Sequence, residues 1–136
     1  MKLKKGNYRE LNAKQKELFN FQKLAAVMAD YGFNRIRLSD DWQGADFLAY
    51  HKDGAETLKV QLKTKMTIKK EYIGKDLFLA FPVDGSWCLV EHDLLVSIIG
   101  RHSTWLTSES WKAGGAYSSA KPGAAIRDAL QGYIID

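Results

Sequence analysis

Apolar residues recur at helical spacing in the first part of the chain. Leu11, Leu18, Phe21, Leu24, Ala25 and Met28 fall on one face at 100° per residue. This predicts a helix ending near Tyr31, with Gly32 as the left-handed residue after it and Phe33 packing behind. Two starts fit, Asn7 with Glu10 or Asn12 with Gln15, each a capping side chain with a partner three positions on. From Phe33 the period changes to two. Phe33, Arg35 and Arg37 alternate with Asn34, Ile36 and Leu38 as a first strand, and 39–44 reads as a turn. Segments 46–51 and 57–65 form a hairpin around Asp53-Gly54, and 77–81 with 86–91 a second around Asp84-Gly85. Asp93 is expected to cap a short helix, 94–99, ended by Gly100. Trp105-Leu106 reads as a last short strand and the Gly/Ser-rich 111–119 as a loop. Pro122 opens a final amphipathic helix with Ile126, Ala129, Leu130, Tyr133 and Ile134 on one face.

The first hairpin carries the chemistry. Asp-Gly is a strong hairpin signal because both central residues of a type I′ turn need positive φ. A two-residue loop at Asp53-Gly54 makes the numbers of opposed residues sum to 107, which sets Asp46 across from Gln61. Side chains alternate along a strand, so both point to one face, with Lys63 diagonally adjacent. A cross-strand salt bridge between Asp46 and Lys63 on an exposed face is the plainer account of the same residues.

Composition narrows the classes. At 136 residues, 46% hydrophobic and 26% charged, the chain reads as one globular domain, 1–136, able to bury its own core. No run of about 18 apolar residues suggests a membrane helix, and the basic start lacks a following apolar stretch, so secretion is not expected. One cysteine excludes an internal disulfide and points to a reducing, cytoplasmic setting. Three scattered histidines and that cysteine give no zinc spacing. Net charge is +4, and Lys59, Lys63, Lys65, Lys69, Lys70 and Lys75 crowd the segment around Gln61. A solvated basic strand would look the same, but beside Asp46 the cluster suits a phosphate-binding surface. Trp42, Trp87, Trp105 and Trp111 suit packing; Trp42 and Gln43 also precede Asp46, where a base could stack or be read. No GxGxxG, Walker A or HExxH sequence is present.

Glu17 lies among Phe21, Leu24 and Met28 on the predicted apolar face, where an unpaired carboxylate is costly. It either reaches out towards Lys14 or water, or it serves a site. Glu10, nearly in phase with it, is a weaker candidate.

Asp46 with the Gln61-Leu62-Lys63 triplet resembles the PD-(D/E)xK nuclease superfamily, the restriction-endonuclease-like fold. The resemblance implies an α/β (α+β) domain with an αβββαβ core, a central mixed sheet flanked by helices, here carrying an inserted hairpin. It implies Mg²⁺, with Mn²⁺ as a substitute, held by Asp46, the Gln61 oxygen, the Leu62 carbonyl and Glu17 through water. Mg²⁺ keeps several waters, so few protein oxygens suffice. Lys63 would act beside the nucleophile, and Lys59, Lys65, Lys69, Lys70, Trp42 and Gln43 would contact nucleic acid. The implied partner is DNA, with RNA left open, and cutting both strands of a duplex favours a homodimer. Ala45 stands where the signature has Pro, and Gln61 where it has an acid, which removes one negative charge from the metal site. Glu56 is too far along the strand to replace it, roughly 16 Å at about 3.3 Å per residue. Two rivals follow: a nucleic-acid-binding module on the same fold without cleavage, and a protein-interaction domain using the second hairpin and the last helix.

Overall fold

The computed structural model describes residues 1–42 and 44–136, with the side chains of all of these except Asp41 and Trp42. It is a mixed α+β structure. Among the described residues four α-helices, α1 (Ala13–Asp30), α2 (His92–His102), α3 (Glu109–Gly114) and α4 (Ala124–Ala129), accompany eight strands. The strands are β1 (Phe33–Trp42), β2 (Ala45–His51), β3 (Thr57–Leu62), β4 (Met66–Lys69), β5 (Leu77–Val83), β6 (Ser86–Glu91), β7 (Ala116–Ser119) and β8 (Ile134–Ile135). Six of them make a mixed sheet in the order β1-β2-β3-β5-β6-β8, and β4 pairs with β7 in a separate ribbon.

The long helix begins as one of the two caps predicts. Asn12 accepts from the Gln15 N–H at 2.8 Å, and the Gln15 side chain accepts from the Asn12 N–H, so two orphan donors are satisfied reciprocally. Asn7 caps only a single 3₁₀ turn, Tyr8–Glu10. The buried face of α1 is narrower than its pattern suggests: Phe21, Leu24 and Met28 are inside, whereas Leu18 is 44% exposed.

The sheet separates two cores. Under α1, Phe21, Leu24 and Met28 meet Phe47, Ala49, Val60, Ala80 and Trp87. On the other side, Leu95, Ile98 and Ile99 of α2 join Leu79, Phe81 and Val90 of the sheet. Burying these apolar surfaces is the main favourable term, at about 25 cal/mol per Å².

Several expectations need correction. Segments 77–81 and 86–91 are no insertion. β5 lies parallel to β3 inside the main sheet, and β6 pairs antiparallel with β5. The crossover between the parallel strands, 63–76, carries β4 and a 3₁₀ turn, Lys70–Tyr72, where an αβββαβ core would have a helix. Asp93 is not the cap of α2: Glu91 is, and the helix runs through Gly100 to His102. Trp105–Thr107 is a 3₁₀ turn rather than a strand. Segment 111–119 is the end of α3 followed by β7, because Trp111 is buried and β7 finds a partner in β4. The last helix is only Ala124–Ala129, after which Ile134 and Ile135 pair with β6.

The two Asp-Gly turns differ. At Asp84-Gly85 both residues take positive φ, 50° and 83°, as a type I′ turn requires. At Asp53-Gly54 only Gly54 does, and 52–55 form a four-residue loop closed by the His51 N–H donating to the Glu56 carbonyl at 2.8 Å. The Asp53 carboxylate accepts from the Ala55 N–H at 2.8 Å, a local turn that competes with type I′ geometry. That bond, with His51 alongside, holds the Asp53 carboxyl below the ordinary carboxylate range. The loop keeps the same centre, so the register survives: Phe47 opposes Val60 and Leu48 opposes Lys59.

Candidate active site

Asp46 is the second residue of β2, one position before Phe47. Continuing the observed register by one residue sets it opposite Gln61. Its Oδ2 accepts from the Leu62 N–H at 2.9 Å. There the β2–β3 backbone ladder has run out, and a carboxylate supplies the acceptor that the next strand residue would have supplied. β3 ends here on its other side as well. The Lys63 N–H still donates to the Ala80 carbonyl at 2.8 Å, but Pro82, which would come next, has no N–H.

β1 opens the site. Arg37 opposes Phe47 and Trp42 opposes Ala45, so the four residues 38–41 stand against Asp46 alone. Such a bulge disrupts the ladder and bends the strand away. The predicted turn at 39–44 is therefore mostly strand with a large bulge in it. The result is a groove of about 440 Å³ lined by Lys14, Glu17, Arg37, Leu38, Ser39, Asp40 and Asp46. Gly44 sits beside the site in left-handed backbone, φ +86°, and a Cβ there would meet the Tyr72 ring and Leu77 at 3.2 Å. Only glycine satisfies both demands.

Gln61 is 8% exposed and stands next to Leu79 of β5, in the second core. Its Oε1 is buried and has no hydrogen-bond partner, the only such side-chain atom among the described residues. An orphan of this kind costs about 1–3 kcal/mol. An amide oxygen and a carboxylate, with waters, are the oxygen donors that a divalent cation such as Mg²⁺ takes. No group of three His, Cys, Asp or Glu among the described residues stands close enough to hold a metal by itself.

Glu17 is in the groove but not in the core. Its side chain is 56% exposed, 3.7 Å from the Arg37 guanidinium and 4.0 Å from Lys14 Nζ. The side chain reaches outward to Lys14, as one reading of it expects, and to Arg37 as well, and it lines the groove together with Asp46. The pattern placed it on an apolar face because that face was drawn too wide. Arg37 in turn lies over the Phe21 ring at 4.7 Å. Nothing in the sequence marked Arg37 beyond its alternation in β1; the ion pair with Glu17 is visible only in three dimensions.

Lys63 follows directly on β3, half-buried, with its Nζ 5.7 Å from the centre of the Tyr72 ring, within range of a cation–π contact. Lys65 is exposed in the segment between β3 and β4, not on a continuing strand face. The other lysines go elsewhere. Lys59 Nζ donates to the Lys75 carbonyl, Lys69 pairs with Glu71 at 3.6 Å, and Lys70 Nζ donates to the Lys112 carbonyl at 3.3 Å. None of these three lines the groove. The Trp42 side chain and Gln43 lie outside the described residues.

Two other reactive groups are structural. Cys88 is buried in the second core, which pushes its thiol up to about 12 and leaves no thiolate for nucleophilic attack. His92 is 1% exposed, with its Nε2 accepting from the Lys69 N–H at 3.1 Å and its Nδ1 3.1 Å from Asp93 Oδ1. The bond from Lys69 makes Nε2 the acceptor, so Nδ1 carries the proton and donates to Asp93. Asp93 Oδ2 also accepts from the Gly74 N–H at 3.1 Å. This clip ties the start of α2 to the crossover between β3 and β5.

No helix among the described residues is long and apolar enough to cross a membrane. No family model, curated protein or solved structure matches the chain.

Proposed function

We propose that the chain is a metal-dependent endonuclease that hydrolyses DNA phosphodiester bonds, a PD-(D/E)xK-type site with Gln61 in the acidic position. One observation carries this reading: Gln61, which the continued β2–β3 register sets opposite Asp46, has a buried Oε1 with no partner. The bulge that opens β1 opposite Asp46 supplies a way in for substrate.

Asp46 and Gln61 would hold Mg²⁺ or Mn²⁺, with water completing the shell. Such an ion, when bound, neutralises the scissile phosphate and lowers the pKa of an attacking water. Lys63, resting against Tyr72, donates hydrogen bonds to the charge that grows on the phosphate oxygens as the bond to the leaving oxygen breaks. Lys65, exposed two residues on, suits a flanking phosphate. Each chain has one such site, so cleavage of both strands of a duplex calls for two copies.

A second reading is a nucleic-acid-binding module without cleavage. Its support is the thin ligand set: no three acidic, His or Cys side chains cluster among the described residues, and Asp46 already caps the Leu62 N–H. Nicking of supercoiled plasmid separates the two, with Mg²⁺ or Mn²⁺ and with wild type, Asp46→Ala and Lys63→Ala. Metal-dependent nicking lost in both variants supports the nuclease. Plasmid retarded on a gel but never nicked supports the binding module.

A further inference from the structure

We propose that the groove opened by the β1 bulge is a phosphate clamp for the nucleic-acid strand beside the cleavage point, with Arg37 as the phosphate-binding group and Glu17 as its positioning residue. This rests on the nuclease reading and extends it to a residue that the Asp46…Gln61-x-Lys63 pattern does not contain.

Arg37 is the last residue of β1 paired with β2 before the bulge, so its backbone is fixed while the next four residues swing away. Its guanidinium lies on the Phe21 ring at 4.7 Å, and its NH2 nitrogen is 3.7 Å from Glu17 Oε1. The side chain is 39% exposed, and it lines the same groove as Asp46. A planar guanidinium held on an aromatic face and by one carboxylate keeps donors for a bidentate phosphate contact. Glu17, engaged with Arg37 and Lys14, is thereby assigned to the arginine and not to a metal.

The charge of the groove sets a condition. Among the described residues, Glu17, Asp40 and Asp46 against Lys14 and Arg37 leave its lining one unit negative, which repels a phosphate. A divalent cation at Asp46 reverses that sign. Strand binding in the groove is therefore coupled to the metal.

The test is binding of a short fluorescent DNA duplex over a salt series, in Ca²⁺ and in EDTA, for wild type, Arg37→Ala, Arg37→Lys and Arg35→Ala. Arg35 is the control: it also lies near Phe21, at 5.6 Å, but does not line this groove. In Ca²⁺, Arg37→Ala should weaken binding about tenfold and reduce the log–log salt slope by about 0.9, one phosphate contact. Arg37→Lys should recover the slope but only part of the affinity, since it keeps the charge and loses the fork. In EDTA the difference between wild type and Arg37→Ala should shrink. Glu17→Gln should leave Mn²⁺ affinity within about twofold, and its effect on DNA affinity should disappear in an Arg37→Ala background. Unchanged affinity and slope in Arg37→Ala, or an equal loss in Arg35→Ala, would overturn the clamp while leaving the nuclease standing. A large loss of Mn²⁺ affinity in Glu17→Gln would return that residue to the metal and overturn its positioning role. A wild type that binds no DNA at all would overturn both the clamp and the nuclease.

Discussion

Gln61 and His92 are the two buried polar side chains among the described residues, at 8% and 1% exposure, and they are handled in opposite ways. At His92 both ring nitrogens are partnered, by the Lys69 N–H and by Asp93, and Asp93 is itself engaged with the Gly74 N–H. At Gln61 the side-chain oxygen has no partner. Burial alone would rank them together. Satisfaction separates them: a fully bonded network fixes structure, whereas an unmet buried acceptor carries a desolvation cost that nothing offsets.

Stability measurements should move in opposite directions at the two positions. The largest expected effect is at the clip. His92→Leu should cost about 1–3 kcal/mol in urea unfolding, because it strands the Lys69 N–H. A loss under about 0.5 kcal/mol would show that the clip does not carry the crossover.

Asp46 comes next. Asp46→Ala should lose about 1–2 kcal/mol through the Leu62 N–H, whereas Asp46→Asn keeps an acceptor and should stay near wild type. Equal losses in the two variants would mean that charge, and not the hydrogen bond, is what β3 needs.

Gln61→Leu should have the opposite sign, a gain of about 1 kcal/mol without metal, since it replaces an unsatisfied oxygen by apolar volume beside Leu79. A loss there would indicate that the amide is already well satisfied.

The smallest effect is in pH. Burial pushes His92 below its ordinary value near 6.5, against the opposite pull of Asp93. The unfolded chain therefore takes up the proton first as pH falls. Stability should decline as pH drops through about 6.5 and level off once the lowered folded value is passed. In His92→Leu that slope should vanish.

The β2–β3 register was legible in the sequence: strand alternation and a loop centre set Phe47 opposite Val60, and that pairing holds although the loop at Asp53-Gly54 adopted another turn type. The bulge was not legible. Ser39, Asp40 and Asp41 have poor strand propensity and read as a turn, yet the backbone continues until Trp42 meets Ala45. Long-range pairing overrode local preference in the same way at β7, whose partner β4 is distant in sequence, and at β8, which closes on β6. The position of Glu17 misled because helical periodicity says which residues share a face but not how much of that face a sheet will cover. Here α1 buries only Phe21, Leu24 and Met28.

The unpaired Gln61 oxygen either meets a metal or is simply an uncompensated buried acceptor. Calorimetric titration of Mn²⁺ into wild type, Asp46→Asn and Gln61→Leu tests this most directly. A single site in wild type, abolished in Asp46→Asn and weakened at least about tenfold in Gln61→Leu, is the predicted result. No binding to wild type, or equal binding to all three proteins, would contradict it.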